Sequence, residues 1–292
     1  KTPTFSVLFN NKDEYIGGAG IVAQHLKAAG AKVVFTSVIG NDPLGKFVEK
    51  NLKKNKIKFN LFIDNTRPTT NKNVFIASDY RLLKVDTLDN SSINSEIQKY
   101  IIEKIKKIKS NAVVFSDFRH GIYNQLTINK FIKNIPKKIF KVADSQVASR
   151  WGNITDFKNF DLITPNELEA RFALAKQDSS IYELSKQLIK KSKSKNIILK
   201  LGSNGIFCLE NKNIDKYFTL GSFVKKLTDP VGAGDALCSY ATLGLMASRS
   251  MKIASILGSM AAACECEFDG NIPIEPIEVL KKIDYYEKFS KI

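Results

Sequence analysis

The stretch "TDPVGAGDALCSY" spans residues 228–240 and sets Gly232, Ala233 and Gly234 directly against Asp235, with an apolar helical pattern starting at once. The first turn of a helix presents unpaired N–H groups and a partial positive charge. Small side chains there let an anion approach those donors closely. Such a corner suits a transferring phosphoryl group, and Asp235 stands where a general base could take the proton of an attacking hydroxyl. A plainer reading uses the same residues: the glycines only make a tight turn, and Asp235 complements its own helix dipole. Local sequence leaves both open.

Outward from this corner, helical and strand patterns alternate. "GIVAQHLKAAG" (20–30) places Ile21, Val22, His25, Leu26 and Ala29 on one helical face, and "AKVVFTSVIG" (31–40) reads as a buried strand. "PLGKFVEKNLKKN" (43–55) is helical, and "IKFNLFI" (57–63) alternates like a strand. "NVFIAS" (73–78) and "RLLKVD" (81–86) predict a hairpin around a polar turn. Helix 93–109, strand 112–117, helix 124–135 and strand 138–144 follow. Then come a strand ending in "TPN" (164–166), helices 167–175 and 181–191, strands 196–201 and 206–210, and three closing helices. This rhythm predicts an α/β fold with a mainly parallel central sheet covered by helices on both faces. The hairpin and the N-terminal extended piece break it. They are expected to form a small β lid from about 1–16 and 57–88 on one domain covering 1–292.

The chain has 292 residues, 43% hydrophobic and 25% charged, which fits a globular protein with a sizeable core. Its formal net charge of +16 admits nucleic acid, an anionic surface or phosphorylated metabolites as partners. The lysines are dispersed, as in "EKIKKIKS" and "LIKKSKSKN", which suits the wet faces of helices. No basic stripe interleaved with aromatics occurs, so neither nucleic acid nor membrane is an expected partner. Four cysteines outside any CxxC spacing, and no signal-peptide pattern, point to a reducing cytoplasm. The chain opens on Lys1, and an N-terminal strand is expected to be missing.

Two further glycine-rich stretches need weighing. "GNDPLGKF" (40–47) nearly matches a P-loop, but Phe47 stands where a magnesium-binding hydroxyl is needed and Pro43 lacks an N–H. "GAGIVA" (18–23) matches a dinucleotide fingerprint, yet the preceding "NNKDEY" is unlike a central strand. An oxidoreductase reading rests on that match alone.

Taken together, these stretches resemble the PfkB (ribokinase-like) carbohydrate kinases. "DPVGAGDAL" resembles their C-terminal signature, and "GGAGIVAQHLKAAGAKVVFTSVIGNDPLG" (17–45) their N-terminal one. "TPNELEA" (164–170) resembles the N-x-x-E motif, and "KLGSNG" (200–205) the turn on the nucleotide side. The resemblance implies a ribokinase-like fold and transfer of the γ-phosphoryl group of ATP to a sugar hydroxyl. It implies Asp235 as the base and Gly232, Ala233 and Gly234 as the anion hole. Asn166 and Glu169 would place Mg²⁺ and phosphate, Glu169 acting through water. Lys200, Gly202 and Gly205 would line the nucleotide side, and Gly17, Gly18, Lys72 and Asp117 the sugar side.

"RPTTNKNVFIASDYRLLKVD" (67–86) is most similar to the heptose 7-phosphate kinases of ADP-heptose synthesis, which implies a role in lipopolysaccharide precursors. Lys72 and Arg67 would then meet the phosphate already on the substrate. Ile21 replaces an asparagine usual in the family, Val74 and Lys84 replace arginines of the heptose kinases, and "VADSQVASRW" (142–151) keeps only Asp144 of their segment. The alternative is a non-catalytic or differently specific sugar- or nucleotide-binding domain of a larger kinase/nucleotidyltransferase. An exposed lid edge would need cover, and a homodimer through the lid sheet supplies one.

Overall fold

In the strand Asn196–Lys200 (β8), Ile197 and Leu199 enter one buried cluster and Ile198 another. The period-two alternation of a strand therefore feeds two cores, one on each face of a sheet. The same split occurs in Phe140–Ser145 (β6), between Ala143 and Val142, and in Leu162–Ile163 (β7). The computed structural model describes residues 4–77, 80–146 and 153–290.

Those strands belong to a six-stranded sheet that also holds Ala112–Asp117 (β5), Ile206–Glu210 (β9) and Asn213–Leu220 (β10). Its order is β10-β9-β8-β7-β6-β5. From β5 to β8 neighbours run parallel, and β9 and β10 are each antiparallel to their neighbour. One face is covered by α3 (Ser95–Lys106), α4 (Gln125–Lys133), α5 (Glu167–Leu174) and α6 (Ile181–Ser192). The other is covered by α7 (Ala233–Ser248) and α8 (Met251–Glu267), with α9 (Pro276–Ser290) packed outside them.

The expected single sheet is divided. Val34–Gly40 (β1) and Lys58–Asp64 (β2) pair in parallel and share no ladder with the six strands. They are tied in by side chains instead: Phe62 packs on Tyr100 of α3, with ring centroids 5.5 Å apart. Between these strands in sequence, α2 (Pro43–Lys54) contributes Leu52 to a satellite core with Phe35 and Ile57. The helix Ala19–Ala28 (α1) touches β1, β5 and α7.

The lid is narrower than expected. The hairpin is present as β3 (Asn71–Ala77) and β4 (Tyr80–Thr87), with Lys72 opposite Asp86 and Val74 opposite Lys84. Part of its turn, 78–79, lies outside the described residues, as does 147–152 of the stretch that departs from the heptose kinases. But β2, inside the expected lid boundary, is committed to β1, because Phe59 and Leu61 pack into the satellite core. Residues 4–16 form no strand, and Phe5, Leu8 and Phe9 are exposed.

The core beneath β5 is aromatic. Phe160 is fully buried, with its ring 5.6 Å from Phe115 and 5.4 Å from Phe157, both edge-on. Phe160→Ala is expected to destabilise the fold by about 3–5 kcal/mol, read as a lower urea midpoint at unchanged slope.

Candidate active site

Most helices here start on a side chain that satisfies their first amides. Asp42, Asn94, Asn124, Asn166, Ser180 and Ser250 cap α2, α3, α4, α5, α6 and α8. Two helices start otherwise: α1 on Gly18 and α7 on Gly232, neither with a side-chain cap. Gly232 sits at φ +86°, where a β-carbon would also collide with Asn271 and Glu265. The first amides of α7 thus have no side-chain cap, and that of Ala233 makes only a long 3.4 Å bond to the Pro230 carbonyl.

Asp235 lies in the first turn of α7 and is buried, with Oδ1 lacking any hydrogen-bond partner. Burial, reinforced by Asp144 and Glu169, pushes its carboxyl up to about 7 against the pull of Lys200 and Lys72. Lys200, the last residue of β8, reaches under this turn: its Nζ lies 3.1 Å from where a β-carbon on Gly234 would be. The same Nζ pairs with Asp144 Oδ1 at 2.8 Å, and Thr164 Oγ1 donates to that oxygen at 2.9 Å. Burial opposes charge on Lys200, but Asp144 and Glu169 outweigh it and hold the ammonium above its ordinary range. Asp144 and Lys200 stand at the carboxyl ends of parallel strands, the position where open α/β sheets bind ligands. That position, read off the strand ends in sequence, is the signal by which Thr164 could have been found.

Asn166 and Glu169 form a closed capping box. The Asn166 backbone N–H donates to Glu169 Oε2 at 2.8 Å, and its side-chain amide donates to Oε1 at 2.6 Å. Burial raises the Glu169 carboxyl above its usual range. On the nucleotide side, Gly202 lies in an exposed turn with open space around it. Gly205 is held for packing, since a β-carbon there would meet the Leu220 carbonyl at 2.0 Å.

Where the sugar side is expected, a β-carbon on Gly18 would lie 3.4 Å from the Phe118 ring and one on Gly17 3.7 Å from Asn271 Nδ2. Lys72 projects from β3 over Phe118, 5.5 Å from its centroid, and His120 stacks on the same ring. Burial and the neighbouring Lys84 lower the Lys72 ammonium, while Asp86 and Asp235 favour its charge. The hairpin is also anchored to the loop before α7, where Arg81 meets Asp229 at 2.5 Å.

Two expectations need correction. Asp117 is 1% exposed, and Arg119 holds it at 2.7 Å, so it faces an internal cation and not a substrate. Arg67 is bound to Asp64 at 2.8 Å and to the Ser91 carbonyl, which removes it from the pocket. Ile21, where the sequence departs from the family, is fully buried in α1. The near P-loop is a structural corner: Asp42 accepts from the amides of Gly45 and Thr69.

Residues 7–277 match the family model "pfkB family carbohydrate kinase". The chain belongs to the pfkB family of carbohydrate kinases. It is 30% identical over 256 residues to the bifunctional protein HldE of Helicobacter pylori strain J99, covering 85% of this chain and 54% of that protein. It is 25% identical over 267 residues to the HldE of a Nitratiruptor species, covering 90% and 55%. The chain thus spans about half the length of these relatives. The fold is shared with tetrameric, inhibited phosphofructokinase-2 from Escherichia coli, at TM-score 0.78, 16% identity and coverage of 93% and 87%. Ribokinase from Giardia lamblia aligns at TM-score 0.70 and 18% identity over 90% and 87%.

The Asp235 carboxyl also shapes stability. Between about pH 4 and pH 7 the unfolded chain has released this proton while the folded chain retains it, so stability drains as pH rises through that window. Asp235→Asn, which stays neutral, is expected to match the parent near pH 4 and to exceed it by on the order of 2 kcal/mol at pH 8. Denaturant titrations at the two pH values measure the difference.

Proposed function

We propose that this sugar kinase transfers the γ-phosphoryl group of ATP to a hydroxyl of a sugar that already carries a phosphate, of the heptose 7-phosphate kind. The observation that carries the reading is the unpartnered Oδ1 of Asp235 beside the uncapped head of α7. A carboxyl poised near 7 is well placed to accept a hydroxyl proton at neutral pH. The amides from Gly232 to Gly234, with Lys200 beneath them, would stabilise the charge of the phosphoryl group in transit.

Glu169 and Asn166 suit a divalent cation only at one remove. Both Glu169 oxygens already accept from Asn166, so a magnesium ion would be held through water and the phosphates. Mg²⁺ would neutralise phosphate charge there. Gly202 would leave room for the nucleotide.

The preference for a phosphorylated sugar rests on Lys72, on the hairpin near His120, with Lys84 on the facing strand paired to Asp86 at 3.3 Å. It rests also on the relatives being named HldE. The hairpin would close over the acceptor and exclude water, and its exposed Val74, Phe75, Ile76 and Leu83 suit a homodimer through that sheet. We place the reaction in the cytoplasm.

Asp235→Asn is expected to lower kcat by at least ~10²-fold while ATP binding persists. A coupled ADP-release assay with a panel of sugars and sugar phosphates tests this, and unchanged turnover removes Asp235 from the chemistry. Lys72→Ala is expected to raise KM for phosphorylated acceptors by about tenfold and to leave the ATP KM alone.

A further inference from the structure

Behind the anion-binding turn lies a second polar cluster that the transfer chemistry does not use. Glu265 of α8 and His25 of α1 are both fully buried, with His25 Nε2 and Glu265 Oε2 4.0 Å apart. His25 Nδ1 accepts a hydrogen bond from the Ile274 amide at 3.1 Å, which leaves the proton on Nε2, facing Glu265. Asn271 donates from Nδ2 to the Ile16 carbonyl, which turns its Oδ1 towards Gly232. A β-carbon on Gly232 would lie 2.4 Å from Asn271 Oδ1 and 2.5 Å from Glu265 Oε1. The Ile272 amide approaches the Glu265 carboxyl, yet neither of its oxygens reaches a partner at hydrogen-bond geometry.

We infer that Glu265 is a positioning residue: its neutral carboxyl, with Asn271 and His25, forms the back wall of the Gly232 turn, and its ionisation sets the alkaline limit of turnover. The inference rests on the sugar-kinase reading of that turn. A carboxylate directly behind the turn would oppose the positive end of α7 and the incoming phosphoryl group. The surroundings keep it neutral. Asp235 faces it from α7, Asp229 from the preceding loop and Glu278 from α9, and Cys264 and Cys266 flank it on α8. The cation on this side, Lys282 of α9, is paired with Glu267 at 2.8 Å. Burial, with those three carboxylates, pushes Glu265 up to about 8. Burial likewise pushes His25 down to about 4, so the imidazole brings no charge to compensate.

The test is the pH profile of kcat for the full chain with an accepted sugar or sugar phosphate, in wild type and Glu265→Gln. Wild type is expected to lose activity on the order of tenfold as pH rises through about 8, whereas Glu265→Gln keeps its rate there. The acid limb, set by Asp235, stays in place in both. His25→Asn, which removes the N–H facing the carboxyl, is expected to move the alkaline limb to higher pH, and it serves if Glu265→Gln fails to fold. Infrared difference spectra give a readout independent of turnover: a protonated carboxyl band that titrates near 8 and is absent from Glu265→Gln. A wild type inactive with every acceptor counts against the kinase reading alone, and the infrared band then decides the charge state. An alkaline limb identical in wild type and both variants overturns the inference, as does a carboxyl band missing at neutral pH.

Discussion

One ammonium serves three carboxylates at the heart of this molecule. Lys200 touches Asp144, and its charge is felt by Glu169 and Asp235. Asp144 takes the contact, together with the Thr164 hydroxyl. Glu169 falls back on the Asn166 amides, and Asp235 is left with an unpaired oxygen. Burial, with Asp144 and Glu169, therefore outweighs the pull of Lys200 and Lys72 and keeps the Asp235 carboxyl raised.

The scaffold is arranged to keep this imbalance. Strands β6 and β8 bring Asp144 and Lys200 to the same edge of the sheet, and α7 arrives from one face with its amides uncapped. Capping α7 with serine or asparagine, as in its neighbours, would satisfy locally the donors a ligand needs. Folding forgoes that stabilising contact at α7, as it does at α1.

Much of this was legible in sequence because it depends on local chemistry. "VGAGD" shows both the missing cap and the carboxylate, and the β-branched pairs Val113–Val114 of β5 and Ile197–Ile198 of β8 mark strands buried on two faces. What escaped depends on distant partners. Arg67 reads as a free cation until Asp64 and Ser91 are beside it, and Asp117 reads as a substrate ligand until Arg119 folds back onto it. The strand β10 was not expected, because "NIDKYFTL" carries the mixed polarity of an edge. The commitment of β2 to β1 could not be seen either, since its alternation fits either sheet. His25 and Glu265 lie 240 positions apart in the chain, and nothing near either one announces the other.

The strut between Arg81 and Asp229 joins the hairpin to the loop that leads into the Gly232 turn. Arg81 is half in water, so ions in solution reach the strut and weaken it. The hairpin and the segment leading into α7 consequently share a salt-sensitive tether, so ionic strength acts on how firmly the two are held together.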